Sequence, residues 1–242
     1  MGLLKELFTG HRTAHPYCSA LIAAAGSSRR MEGENKLLLP LGGKPVLAHT
    51  LLAMDAAPSI REIVIAAREE DLVHFAELCK TYGITKPVKV ITGGETRTES
   101  VLRAAMEANP KAGYLAVQDG ARPFVTPDLV EQTIAAARVH YAAAPAIPVK
   151  DTIKVAVRSL VRETPDRSTL FAVQTPQVFD AQLLRAALKA AMDAGASVTD
   201  DCSAVERMGK AIYLTEGSEE NIKITTPLDM ILAEAILQKR EG

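Results

Sequence analysis

Short apolar runs recur along the chain, and between them apolar positions return every three or four residues. The runs at 19–24, 62–67, 88–91, 114–118 and 144–149 predict β-strands. The longer period predicts helices over 46–57, 69–82, 99–108 and 127–141. Pro45 and Pro127 suit first helical positions, Thr126 can cap the helix behind it, and Gly83 can close the helix before it. Strands alternating with helices of this length specify a doubly wound α/β fold, a mostly parallel sheet covered on both faces.

The pattern changes after Val149. Residues 150–161 read as extended and polar, and 162–169 as charged, so 150–171 is expected to form a protruding β-arm. An exposed pair of strands is barely stable alone, which predicts a homodimer formed through the arm. Helices are expected again at 181–194, 201–208 and 227–238, with strands at 211–214 and 221–224. Residues 1–16 read as an N-terminal extension without a signal-peptide core, and 17–242 as one domain.

Charge and composition narrow the partners. The formal net charge is −1, so no global basic field draws the chain to nucleic acid, and any attraction for phosphate must be local. Aromatic residues make up 4% and tryptophan is absent, which leaves little for a base-stacking platform. Cys18, Cys79 and Cys202 are odd in number and widely spaced; the reading is free thiols in a reducing cytoplasm, with no metal spacing. No apolar run approaches the roughly 20 residues that cross a bilayer.

The candidate chemistry lies in the turns after the strands. Ala24-Ala25-Gly26-Ser27-Ser28-Arg29-Arg30-Met31, with Lys36 beyond it, follows the first apolar run. Small residues let backbone N–H groups approach an anion, and the cations suit a triphosphate and charge building on phosphorus. Gly93-Gly94-Glu95 and Ser100 follow the third strand; they could read a base edge, or simply start a helix. Asp119-Gly120-Ala121-Arg122 follows the fourth, where ligands of open α/β sheets sit. Asp119 there suits ribose hydroxyls or Mg²⁺. Arg122 suits a second phosphate, or an internal pair with Asp119. There is no GxxxxGK[ST] loop, GxGxxG fingerprint, G-x-S-x-G elbow or HExxH. No histidine falls in the glycine-rich turns.

Six ordered blocks together resemble a family. They are 24–31 with Lys36, 93–97 with Ser100, Asp119–Pro123, Asp151-Thr152-Ile153-Lys154, Thr175-Pro176-Gln177, and Asn221-Ile222-Lys223-Ile224-Thr225. From about Tyr17 onward the chain resembles the 2-C-methyl-D-erythritol 4-phosphate cytidylyltransferases of the non-mevalonate isoprenoid pathway. The resemblance implies a nucleotide-diphospho-sugar transferase-like fold and an arm-linked homodimer. It also implies CMP transfer from CTP to the alcohol phosphate, with Mg²⁺ carried mainly by CTP phosphates and Asp119 as its protein contact. By position, Arg30 and Lys36 resemble transition-state stabilisers, and Arg167 and Lys223 the residues that orient the acceptor phosphate. Asp119, Arg122, Thr152 and Thr175 resemble further substrate contacts, Thr152 and Arg167 reaching across the dimer. Ala24, Ala25, Gly26, Gly94 and Ser100 resemble the CTP cradle. Ser27, Glu95, Gly120 and Thr199 complete the expected substrate-binding set. Rival readings are a ribitol 5-phosphate cytidylyltransferase, a CTP-binding regulatory module without turnover, and a sugar-phosphate transferase using another base.

Overall fold

The structure, a computed structural model, describes residues 17–26 and 35–241. The chain-order strands are β1 (Cys18–Ala24), β2 (Pro40–Leu41), β3 (Lys44–Pro45), β4 (Ile60–Ala67), β5 (Val88–Thr92), β6 (Tyr114–Asp119), β7 (Ala142–Pro148), β8 (Val155–Val157), β9 (Leu160–Glu163), β10 (Phe171–Val173), β11 (Gln177–Asp180) and β12 (Tyr213–Glu216). The helices are α1 (Val46–Ala56), α2 (Leu72–Thr81), α3 (Arg97–Glu107), α4 (Pro127–His140), α5 (Ala181–Asp193), α6 (Asp201–Glu206) and α7 (Pro227–Glu241).

Eight strands form the main sheet, in the order β10-β7-β11-β6-β1-β4-β5 with β12 on β7. β1 lies at its centre, parallel to β4 on one side and β6 on the other. Its residues alternate between the two faces, and both faces are covered. Ile22, Ile63 and Ile65 pack on one face with Leu47, Phe75, Val130 and Ile236 from α1, α2, α4 and α7. Leu21, Val64 and Val117 pack on the other with Val101, Leu184 and Val205 from α3, α5 and α6. Burial on both faces explains why β1 and β4 read as continuous apolar runs rather than alternating ones. Antiparallel β10 and β11 join the parallel half.

The structure departs from the sequence reading at several points. Residues 221–224 are not a strand. Asn221 is fully buried, its amide donating to Gln174 Oε1 and the Thr175 carbonyl, and the Ile224 N–H bonds the Ala121 carbonyl. Loops, not a neighbouring strand, satisfy that backbone. The strand expected at 211–214 lies two residues later, as β12. The helix expected over 69–82 is a 3₁₀ turn, Glu69–Asp71, followed by α2. β10 and β11 were not expected, being three and four residues long and too short for a period to show. The arm is a β8–β9 hairpin turned at Arg158 and Ser159, both with positive φ. It is less polar than expected: Val155, Val157, Leu160 and Val161 are all exposed.

Candidate active site

Beyond the carboxyl ends of β1, β5 and β6 the turns converge on a cleft of about 350 Å³. Ala24, Ala25 and Gly26 form one wall and the Gly94–Ser100 turn another. The close approach of these turns depends on Gly93: a Cβ there would stand 2.6 Å from the Ala25 Cβ and 2.9 Å from the Ser100 Oγ. Thr96 caps α3 by accepting the Glu99 N–H, and the Glu99 carboxylate accepts the N–H of Glu95. Ser100 lines the cleft, with its Oγ donating to the Thr96 carbonyl and accepting the Gly94 N–H. That hydroxyl therefore shapes the turn.

Lys36, Arg97, Lys223, Glu95 and Asp119 bring charge to the cleft. Lys36 Nζ donates to the Ile224 carbonyl at 2.7 Å, which ties the turn after residue 34 to the segment carrying Lys223. Lys223 Nζ pairs with Asp119 Oδ2 at 2.9 Å. Asp119 is buried at the end of β6, where its N–H donates to the Thr175 Oγ1. Burial pushes the Asp119 carboxyl up, but Lys223, Arg97 and Arg122 outweigh it and hold it below the usual aspartate value.

Of the residues singled out from sequence, Ala24, Ala25, Gly26, Lys36, Gly94, Glu95, Ser100, Asp119 and Lys223 line this cleft. Ser27 and Arg30 lie outside the described residues. Arg122 stands behind Asp119 and donates to the Asn221 carbonyl at 2.6 Å, the internal pairing rather than an open phosphate contact. The Gly120 carbonyl accepts the Thr50 hydroxyl, and Thr175 is a buried support for Asp119. Thr199, at the start of α6, bonds Ser203 through its N–H. Thr152 and Arg167 are exposed on the arm, Arg167 donating to the Lys150 carbonyl at the arm's base. None of these six lines the cleft within the single chain.

Sequence reasoning missed Arg97 and Asp201 as a pair. Arg97 lines the cleft and bridges the Asp119 carboxylate at 3.6 Å and the fully buried Asp201 at 2.8 Å. Burial keeps Asp201 above the usual aspartate value in spite of Arg97. The signal was present: an arginine in the first turn of a helix opposes the helix dipole and needs acidic partners.

Other chemistry finds less support. The thiols of Cys18, Cys79 and Cys202 are free and buried; burial pushes Cys79 up to about 11 and the other two higher, so they are inert at neutral pH. His49, His74 and His140 lie away from the cleft lining. Among the described residues no group of three or more His, Cys, Asp and Glu could hold a metal, and no helix is long and apolar enough to cross a membrane.

A mostly parallel sheet with helices on both faces and a cleft beyond its carboxyl ends is the architecture of an α/β nucleotidyltransferase-like fold. Comparison with known proteins makes the assignment specific. Residues 18–239 match the family model of 2-C-methyl-D-erythritol 4-phosphate cytidylyltransferase, and the chain belongs to that family. It is 43% identical over 218 residues to the 2-C-methyl-D-erythritol 4-phosphate cytidylyltransferase of Bacillus thuringiensis, covering 90% of this chain and 96% of that one. Among solved structures it resembles the 4-diphosphocytidyl-2C-methyl-D-erythritol synthase of Anaerococcus prevotii, with a TM-score of 0.84, 31% identity and coverage of 93% and 97%. The Thermus thermophilus 2-C-methyl-D-erythritol 4-phosphate cytidylyltransferase gives a TM-score of 0.73 with 33% identity, covering 90% of this chain and 98% of that one.

Proposed function

We propose that this cleft is where the chain carries out its family's reaction, with Lys36 and Lys223 acting on the phosphates and Arg30 as a third cation. The reaction transfers the cytidylyl group of CTP to 2-C-methyl-D-erythritol 4-phosphate in isoprenoid precursor biosynthesis. A phosphate oxygen of the acceptor forms a bond to the α-phosphorus, the bond from that phosphorus to the β-phosphate oxygen breaks, and pyrophosphate leaves. The acceptor is a phosphate monoester with a second pKa of about 6, so it arrives ionised and needs no general base. The work is to offset repulsion between anions and to hold them in line. One observation carries the reading: the 2.7 Å bond from Lys36 to the Ile224 carbonyl sets two cations from opposite ends of the chain on one cleft.

In this reading a magnesium ion would be carried mainly by the CTP phosphates and would meet the protein at Asp119 in the cleft lining. Asp119 would be the protein ligand, with phosphate oxygens and water completing the shell, as is usual for this ion. When bound, the metal would offset charge on the triphosphate. Lys223, 39% exposed at the cleft, would relinquish part of its pairing with Asp119 to meet the acceptor phosphate. Lys223→Ala is therefore expected to lower kcat/KM for the acceptor about 10- to 100-fold, the worth of one charge-assisted hydrogen bond. An unchanged value in steady-state titrations of the acceptor would remove Lys223 from this role.

The decisive assay offers CTP, then other nucleotides, with a panel of phosphorylated polyols and follows pyrophosphate. The expected result is release with CTP and methylerythritol phosphate. Preference for ribitol 5-phosphate, or no release with any acceptor, would overturn the reading. A cytoplasmic location suits the three free thiols.

The working unit in this reading is a homodimer joined through the arm. Support comes from the hairpin itself: Leu160 is 67% exposed and Val161 58% on a two-stranded ribbon that gains little stability alone. Thr152 and Arg167 would then serve the partner's cleft. Mixing Lys36→Ala with Arg167→Ala chains tests this. Each mixed dimer regains one intact site if Arg167 acts across the dimer, so activity should recover to about a quarter of wild type under random pairing. No recovery after exchange, verified by sedimentation, would place Arg167 in its own subunit's site.

A further inference from the structure

We propose that Asp71 and Asn35 are positioning residues for Lys36, a role that rests on the proposed function of that lysine. Neither is among the residues that line the cleft. Asn35 precedes Lys36 and organises its turn from both ends of the residue. Its carbonyl accepts the N–H of Leu38 at 2.9 Å, and its side-chain oxygen accepts the N–H of Leu37 at 3.1 Å. The side-chain amide then donates to Asp71 Oδ2 at 2.9 Å. Asp71 closes the 3₁₀ turn after β4 and is only 4% exposed. The same oxygen accepts from Arg68 Nε at 2.8 Å, and Arg68 is held in turn by Glu70.

A buried carboxylate with two donors on one oxygen is a fixed point in the turn that follows β4. Through Asn35 it fixes the backbone on which Lys36 is carried. From the other side, Leu37 is buried in the core, its carbonyl accepting the N–H of Leu47 in α1. Lys36 is thus held between an anchor behind it and an anchor ahead of it, and its Nζ reaches Ile224. A lysine has four rotatable bonds, and its charge is useful in catalysis only when its base is stationary. The long side chain is given a short tether by the amide–carboxylate link.

The link can be broken at either end and kept by one conservative change. Asn35→Asp keeps the oxygen that caps Leu37 but sets a carboxylate against Asp71. Asp71→Ala removes the acceptor shared by Asn35 and Arg68. Asp71→Asn keeps an amide oxygen that can accept from both. Asn35→Asp and Asp71→Ala are each expected to lose about 10- to 100-fold in kcat with KM for CTP within a few-fold, the scale on which slight misplacement acts. Asp71→Asn should stay within about threefold of wild type. Asn35→Ser, whose hydroxyl still reaches its own turn but not Asp71, guards against poor folding of the first variant and should show the same kcat loss. Melting temperatures are read alongside. Asn35→Asp, Asn35→Ser or Asp71→Ala variants that melt lower but keep wild-type kcat, or an Asp71→Asn enzyme as slow as Asp71→Ala, would overturn the proposal. Lys36→Ala is run in parallel: if it keeps full turnover, the reading of Lys36 fails. If it is inactive while the Asn35 and Asp71 variants turn over normally, only the positioning role fails.

Discussion

Replacing Lys36 by alanine is expected to lower kcat about 100- to 1000-fold, or about 3–4 kcal/mol of transition-state stabilisation, with little change in CTP affinity. Two anions must meet, and charge then grows on the oxygens around the α-phosphorus and on the departing pyrophosphate. An ammonium fixed beside that phosphorus is worth more in the transition state than in the ground state, so its loss appears in kcat. Lys36 is suited to the task because its place is set before substrate arrives: Nζ bonds the Ile224 carbonyl and Leu37 next to it is 4% exposed. Lys36→Arg keeps the charge but replaces a compact ammonium with a planar fork, so it should recover only part of the loss. Rapid-quench single-turnover measurements at saturating CTP separate the chemical step from release. A Lys36→Ala enzyme with a near-normal chemical rate would show that Lys36 does not stabilise this transition state.

The parallel half of the fold was legible because strands buried on both faces leave unbroken apolar runs, as in β1 and β4. The antiparallel half was not. β10 and β11 are held by pairing with β7 and β6, contacts distant in sequence that leave no local period. The site followed the same division. Ala24 to Gly26, Gly94 and Asp119 were legible because small residues and an acid follow the apolar runs directly, where ligands of open α/β sheets sit. The pairing of Arg97 with Asp201 was not: a first-turn arginine signals a need for acidic partners but not which ones, and only the fold brings Asp201 to 2.8 Å. Arg122 shows the reverse: its proximity to Asp119 in sequence allowed two readings, and the 2.6 Å bond to the Asn221 carbonyl favours the structural one.

Asp119→Ala is expected to cost about 3 kcal/mol of folding stability, the lower end for removing one partner of a buried ion pair. The lower end applies because Lys223 is partly exposed and Arg97 retains Asp201. Three cations face this carboxylate: Lys223 at 2.9 Å, Arg122 at 3.5 Å and Arg97 at 3.6 Å. Arg122 is the most buried of them; burial already pulls its guanidinium down, with Asp119 opposing. The sign of the pH dependence follows from the Asp119 carboxyl, which is held below its ordinary value in the folded chain. Such a group adds stability above the unfolded-state value, and that stability is lost as pH falls through the lower folded-state value. Asp201 is raised and acts oppositely: its contribution is full below the unfolded-state value and is lost as pH rises through the folded-state one. The charge-only variant Asp119→Asn should therefore differ from wild type most near neutrality, with the gap closing in acid, as read by urea unfolding across pH. A gap that is constant with pH would mean that the carboxylate is not charged among these cations in the folded state. Activity should fall with stability in Asp119→Ala, because Lys223 loses the contact that aims it into the cleft. Assaying at low temperature, where the variant remains folded, separates the two losses: turnover that returned fully there would make Asp119 a structural residue alone.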